Sequence, residues 1–185
     1  YKQPFGGFIA GTEKTVKSMT RDQLLSKHKS IYVPKNSVFC VVGNNSFEDV
    51  IKFAEKYVMI ERDGDALEKL DIKKALNQSK EIRDGLMQTN LCLGTHFPSL
   101  SEKNRYAAEI FSAILGEGMS SRLFKEIREK RGLVYGVRSD LDLGRNYGHM
   151  IIWAGCDSQN KDKVIEISKQ EFLKMKNLTE AELIE

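Results

Sequence analysis

The sequence predicts an α+β fold, in which a mixed, mostly antiparallel sheet is covered on one face by helices. Short apolar runs bounded by turn residues are typical of strands, and amphipathic segments with capping residues are typical of helices. The order of these segments mixes hairpins with crossover connections, which favours the α+β class. The pattern does not specify the order of the strands in the sheet.

The first part of the chain is predicted to form a helix, a strand and a second helix. Thr20 and Gln23 have the spacing of a capping box, and Pro34 ends the helix that follows. The uninterrupted apolar run 37–42 predicts a short strand that is buried on both faces. Ser46 is the predicted cap of the second helix.

The composition changes in the segment 61–84, where charged residues dominate and large apolar residues are few. We interpret this segment as a solvated connector between two parts of the fold, residues 1–60 and 85–185. Because the chain begins at Tyr1 without an initiator Met and stops within a helical pattern, we expect it to be a piece of a longer protein.

The second part opens with alternation that predicts a strand, which Pro98 ends. Ser101 is the predicted cap of the next helix. The apolar stripe of this helix is predicted to consist of Tyr106, Ala107, Ile110, Phe111 and Ile114.

A short helix is predicted after Ser121, with Leu123, Phe124 and Ile127 facing inward. Two strands, 133–143 and 149–156, follow with a tight connection that predicts an antiparallel hairpin. A helix over about 160–176 and a last one capped by Thr179 with Glu182 complete the pattern.

Composition excludes several functional classes. The chain has 29 Lys and Arg against 26 Asp and Glu, and a net charge of +3 is too small to indicate a nucleic-acid partner. No apolar run approaches the ~18–20 residues of a membrane span, and no signal-peptide pattern is present. Cys40, Cys92 and Cys156 are predicted to be buried, reduced thiols of an intracellular protein. Reduced thiols fit a cytoplasmic location, and they fit a mitochondrial matrix location equally well.

The histidines and cysteines of this sequence do not have the spacing of a zinc-binding motif. His28, His96 and His149 are isolated from one another, and no C-x-x-C pair or H-x-x-E-H pattern occurs. We therefore expect this piece to bind no metal by itself.

The segment 115–135 carries the strongest functional signal. A turn containing Gly116 and Gly118 leads into a helix N-terminus, whose free N–H groups can hold an anion or a peptide carbonyl. Arg128 at the end of this helix and Tyr135 at the start of the next strand can converge and donate hydrogen bonds to an oxyanion. Composition alone favours structural roles instead, with Arg128 as a helix-end cation and Tyr135 as a half-buried strand aromatic.

The residues of this segment fit a known pattern. They read Leu115-Gly116-x-Gly118-Met119-Ser120-Ser121-Arg122-Leu123-Phe124 and then Ile127-Arg128-Glu129-Lys130-Arg131-Gly132-Leu133-Val134-Tyr135. This resembles the signature in the second homologous domain of the insulinase/pitrilysin-type zinc metallopeptidases, in the branch of the mitochondrial processing peptidase. Three shorter segments fit in the same order: Gly11-Thr12-Glu13, Tyr32-Val33-Pro34-x-Asn36 and Thr179-x-x-Glu182-Leu183.

The resemblance implies a site and its partners. Family members bind zinc through H-x-x-E-H in the first domain, and their two halves enclose a chamber that cuts peptides or unfolded polypeptides. Arg128 and Tyr135 match the spacing of the family's Arg and Tyr. Tyr135 would stabilise the oxyanion and Arg128 would fix the peptide main chain, while Gly116, Gly118 and Met119 would contact the substrate.

The resemblance also implies how this piece relates to its parent. Residues 1–60 would end one peptidase-like domain and 85–185 would begin the next, with the rest of the parent or a paired homologous half as partner, as in a dimer. Zinc would belong to the full-length parent, so the fragment alone is predicted to be inactive. The alternatives are a non-catalytic scaffold or peptide-binding subunit with the same fold, and a stand-alone domain unrelated to peptidases.

Overall fold

The structure is a computed structural model that describes residues 1–3, 5–58 and 71–184. The chain divides into two compact units, residues 1–75 and residues 76–185. Among the described residues, no helix is both long enough and apolar enough to cross a membrane.

The described residues of the first unit form three helices, α1 (Glu13–Lys17), α2 (Arg21–Ile31) and α3 (Phe47–Tyr57), and a 3₁₀ turn at Pro34–Asn36. The predicted capping box of α2 is confirmed. The Thr20 hydroxyl accepts from the backbone N–H of Gln23, and the Gln23 side chain accepts from the backbone N–H of Thr20.

The predicted strand at 37–42 is wrong. The structure forms no strand there, and Val38 and Val42 are fully or almost fully exposed, at 88% and 101%. A strand satisfies its N–H and C=O groups only beside another strand. No other strand forms in the described residues of this unit, so the apolar run has no neighbour to pair with.

The predicted connector 61–84 is described from residue 71 onward, and its residues 61–70 lie outside the described part. Residues 71–84 form neither helix nor strand. Leu76 and Ile82 are exposed, so this stretch buries little apolar surface.

The second unit contains three strands and three α-helices, together with a π-helical segment. Their bounds are β1 (Thr89–His96), α4 (Arg105–Gly116), the π-helical segment (Phe124–Glu129), β2 (Val134–Gly144), β3 (Tyr147–Cys156), α5 (Lys161–Lys174) and α6 (Glu180–Ile184). The strand order is β1-β3-β2, and both pairs are antiparallel. The predicted α+β class and the predicted hairpin are confirmed.

The core lies between one face of this sheet and the helical elements. It contains Leu115, Leu123, Ile127, Val134, Val137, Met150, Ile152, Ala154, Cys156, Val164, Ile167 and Met175. Leu91 and Leu93 of β1 pack against it, as does Phe97 directly after β1, as the alternation in the sequence predicts. The predicted inward positions of Leu123 and Ile127 are also confirmed, since both are fully buried.

The predicted apolar stripe of α4 is wrong in part. Tyr106 and Ile110 are mostly exposed, while the buried residues are Ala108, Ser112, Leu115 and Gly116. Ala108, Ser112 and Gly116 are small and follow one another at intervals of four residues, so this side of α4 approaches β2 closely. The Ser139 hydroxyl of β2 donates to the carbonyl of Ser112 at 2.7 Å. The N-cap position is Asn104 rather than Ser101, whose hydroxyl bonds to that of Ser99.

The prediction of three buried thiols is confirmed for Cys156 alone, where burial raises the pKa of the thiol. Cys40 is exposed because the run that contains it has no partner strand. Cys92 is exposed because it is on the face of β1 opposite the core.

An ion pair fixes α6 to the beginning of the π-helical segment. The Arg122 guanidinium donates two hydrogen bonds to the Glu182 carboxylate, at 2.7 and 2.9 Å. The predicted cap is also confirmed, because this carboxylate accepts from the backbone N–H and the hydroxyl of Thr179. These hydrogen bonds lower the pKa of Glu182 to about 2, with the bond from Arg122 as the largest cause.

We expect the substitution Glu182→Gln to reduce the free energy of unfolding at pH 7 by about 1–2 kcal/mol, because it removes a charge-assisted pair that is partly exposed. The folded pKa lies below the ordinary value of 4.5, so the contribution is complete above pH 4.5 and is lost as the pH falls towards about 2. Urea denaturation of both proteins at several pH values measures the difference.

Glu180→Gln, on the exposed surface of the same helix, is the matched control. A Glu182→Gln effect that stays constant from pH 7 to pH 2.5 would contradict the assignment of the stabilisation to the ionised carboxylate.

Candidate functional site

A β-bulge at the start of β2 determines where Tyr135 lies. Val134 pairs with Cys156 and Gly136 pairs with Gly155, so one extra residue is inserted in β2. Tyr135 and Gly136 together therefore oppose Gly155 on β3. Val134 and Val137 are both buried although they are three positions apart, which the regular alternation of a strand does not allow.

Tyr135 projects from the bulge with its side chain mostly exposed, at 62%. Its hydroxyl donates a hydrogen bond to Oδ1 of Asp157, the residue that follows β3, at 2.8 Å. This bond to a carboxylate raises the pKa of Tyr135 above its ordinary value, which already keeps a phenol protonated at neutral pH.

Arg128 is exposed on the π-helical segment, and its guanidinium lies over the ring of Phe124, 4.9 Å from the ring centroid. Stacking on a ring leaves the N–H groups at the edge of the guanidinium available to an acceptor. The two neighbouring cations, Lys130 and Arg131, are paired differently. Both bind the carboxylate of Glu126, and they lower the pKa of Glu126.

Backbone hydrogen bonds connect the segment that carries Arg128 to the strand that carries Tyr135. The N–H of Gly132 donates to the carbonyl of Arg128 at 3.0 Å, and the N–H of Leu133 donates to the carbonyl of Ile127 at 3.1 Å. The chain therefore enters β2 from a fixed helix end. Arg128 and Tyr135 are held on adjoining elements, each with its own side-chain partner.

A groove of about 860 Å³ runs between α4 and β2. Its walls are apolar at Leu100, Ile110 and Leu141, and they carry the carboxylates of Glu109 and Glu117. Within the described residues β2 pairs with β3 alone, so the side of β2 that borders the groove has backbone groups outside the sheet ladder.

Two of the residues predicted to contact substrate, Gly116 and Gly118, line this groove. Gly118 has a φ of 76°, a left-handed conformation that favours glycine. Gly116 is buried, and a Cβ added there would lie 2.5 Å from the backbone nitrogen of Ser139, so the close approach of α4 to β2 requires glycine. Met119 follows in the same loop and is 74% exposed.

Sequence reasoning missed Asp157, which lies 22 positions from Tyr135 and is its direct partner. The signal in the sequence is weak, because Asp157 is merely the first charged residue after the apolar run of β3. It also missed a contact on the outer face of the sheet, where the guanidinium of Arg138 lies 4.8 Å from the ring centroid of Trp153.

The described residues contain no group of three or more His, Cys, Asp or Glu side chains that is suited to a metal ion. The donor set of the described residues therefore does not fit zinc, and we assign no chemical step of these residues to a metal.

Comparison with known proteins relates this arrangement to a peptidase family. The family model described as the peptidase M16 inactive domain matches residues 18–185. The chain belongs to the M16 peptidase family.

Relatives of the M16 chain are named as uncharacterized zinc proteases. That of Rickettsia bellii is 32% identical over 184 residues, which cover 99% of this chain and 44% of the relative. That of Bacillus subtilis is 32% identical over 181 residues, which cover 95% of this chain and 43% of the relative. The chain therefore spans less than half the length of these relatives.

A solved structure shares the fold. The peptidase M16 inactive domain from Pseudomonas fluorescens matches with a TM-score of 0.80 and 27% identity, covering 93% of this chain and 43% of that one. A protease from Helicobacter pylori matches with a TM-score of 0.72 at 22% identity, which shows the fold alone. The M16 chain is thus similar to part of proteins that are named zinc proteases, and it matches a domain of the inactive type.

We expect Gly116→Ala to lower the free energy of unfolding by about 1–3 kcal/mol, because the added methyl group meets the backbone of β2 rather than a movable side chain. Chemical denaturation measures the loss. The control is Gly94→Ala in β1, where an added Cβ meets nothing within 4 Å. Equal stability of the two variants would show that α4 does not need its close approach to β2.

Proposed function

We propose that this domain positions the peptide substrate of a zinc-dependent endopeptidase of the M16 family, with Tyr135 and Arg128 as the groups that contact the reacting peptide. The observation that carries the proposal is the β-bulge, which presents the phenol of Tyr135 outward from an otherwise buried strand end. Bulges occur beside active sites because they redirect one side chain without altering the rest of the sheet.

Tyr135 supplies a hydrogen-bond donor to the carbonyl oxygen of the scissile peptide bond. As that oxygen gains negative charge during hydrolysis, a bond from a neutral phenol strengthens, and this lowers the barrier more than it strengthens substrate binding. The role needs a protonated phenol, because a deprotonated phenol has no proton to donate, and an ordinary phenol is protonated at neutral pH.

Arg128 binds the main chain of the substrate. Its guanidinium is held over the Phe124 ring and offers several N–H donors in one plane, which can bond a peptide carbonyl outside the scissile bond. A contact of this kind fixes the position of the peptide relative to Tyr135, and proximity is itself a large part of catalysis.

The groove between α4 and β2 accommodates a further length of the extended peptide. The side of β2 that pairs with no strand among the described residues offers backbone N–H and C=O groups to an extended strand, and the apolar wall accepts alternate side chains. Gly118 lines the groove, and the exposed Met119 follows it in the loop at the end of α4, so both are proposed as contacts of the substrate. The substrate is therefore a peptide or an unfolded polypeptide.

Zinc belongs to another part of the full-length parent. A bound metal ion polarises the scissile carbonyl and activates water. The names of the relatives support a zinc-dependent parent, and the fragment by itself is proposed to be inactive.

A second candidate function is a peptide-binding or scaffold subunit without catalysis. The description of the matching family model as an inactive domain favours it. In that case the full-length parent binds unfolded peptide through the same groove but does not cleave it.

We expect Tyr135→Phe in the full-length parent to reduce kcat by about 10- to 1,000-fold, the effect of losing one oxyanion donor. Cleavage of a quenched fluorescent peptide measures the turnover, and a binding assay with the same peptide measures affinity. Tyr106→Phe, an exposed tyrosine on α4, is the matched control. Unchanged turnover in Tyr135→Phe would contradict the role of the phenol, and peptide binding without any cleavage by the wild type would favour the scaffold function.

A further inference from the structure

The phenol of Tyr135 is held by a carboxylate that the proposed reaction does not use. The O–H donates to Oδ1 of Asp157 at 2.8 Å. The pairing at the bulge brings the two residues together, because Tyr135 opposes Gly155 and Asp157 comes two residues later, directly after the end of β3. Diagonal neighbours of this kind lie within reach of an aromatic side chain.

The backbone around Asp157 is fixed. Asp157 directly precedes the 3₁₀ turn Ser158–Asn160, and its carbonyl accepts from the backbone N–H of Asn160 at 3.0 Å. Its side chain is half-buried, whereas that of Tyr135 is mostly exposed. The carboxylate is therefore the more fixed partner, and it determines where the phenol rests.

The contact with Asp157 competes with the contact to a substrate. A phenol has one O–H and can donate a strong hydrogen bond to only one acceptor at a time. In the structure this proton is directed at Asp157. A carbonyl oxygen of a substrate needs the same proton, so the Asp157 bond must break before Tyr135 can stabilise an oxyanion.

We propose that Asp157 is a positioning residue that holds Tyr135 in its resting orientation and releases it when the substrate carbonyl takes over the phenolic proton. This inference rests on the proposed function of Tyr135. No covalent bond changes in the exchange, since the proton remains on the phenol and only its acceptor differs. The carboxylate of Asp157 then returns to water or to polar groups of the substrate.

If Asp157 holds the phenol in this way, weakening the bond between them raises kcat/KM rather than lowering it. Asp157→Asn preserves the shape of the side chain but replaces a charge-assisted acceptor by a neutral one, which holds the phenol less strongly. The substrate then displaces the resting bond more easily. We expect kcat/KM of the full-length parent to rise by about 3- to 10-fold.

The test compares four forms of the full-length parent, namely wild type, Asp157→Asn, Tyr135→Phe and the double variant. Peptide cleavage gives kcat/KM, and NMR of labelled tyrosine gives the phenol pKa of Tyr135, which should fall in Asp157→Asn. If Asp157 acts through the phenol, the double variant has the kcat/KM of Tyr135→Phe alone. Asp162→Asn, an exposed aspartate at the start of α5, is the matched control.

Each outcome decides a different question. Suppose that Tyr135→Phe is impaired but that the kcat/KM of Asp157→Asn does not exceed that of the wild type. This result overturns the role of Asp157 and leaves the proposed function standing. An equal gain from Asp157→Asn with and without the phenol also overturns it. Wild-type kcat/KM in Tyr135→Phe overturns the proposed function together with this inference. Thermal unfolding of Asp157→Asn, Tyr135→Phe and the double variant checks that each of them is folded.

Discussion

The β-bulge at Tyr135 is the constraint on which the arrangement of the site depends. It shifts the alternation of β2, so that Val134 and Val137 both reach the core while Tyr135 is directed outward. Without the extra residue, the strand could bury only one of these two valines on the same face. The exposure of the phenol and the packing of the strand therefore have one common cause, and a change at the bulge affects both.

The approach of α4 to β2 is the second requirement, and it explains what the sequence predicts well and what it does not. Periodicity predicts the existence of α4, since a helix is the only element that fits its apolar spacing. It predicts correctly that Phe111 and Ile114 pack against the core, but wrongly turns Tyr106 and Ile110 inward. It misses Ala108, Ser112 and Gly116, which contribute little hydrophobicity and are buried for their small size. Close backbone approach is a tertiary property that residue hydrophobicity does not encode.

The other features that the sequence did not predict also depend on contacts between residues that are far apart along the chain. The capping residues Thr20 and Thr179 act within one helical turn, and both are predicted correctly. The apolar run 37–42 reads as a strand, yet strand formation depends on a neighbour that the pattern does not contain. Likewise Arg128 and Tyr135 are proposed from a local motif, whereas the contact of Tyr135 with Asp157 depends on the pairing of β2 with β3.

The most direct measurement is the structure of the full-length parent with a non-cleavable peptide bound. If the bulge serves to present the phenol, the hydroxyl of Tyr135 will lie within hydrogen-bond distance of a peptide carbonyl oxygen and will have left Asp157, with the Arg128 guanidinium on the peptide main chain. A bound peptide that contacts neither side chain, with Tyr135 still on Asp157, would contradict the proposed role of this domain.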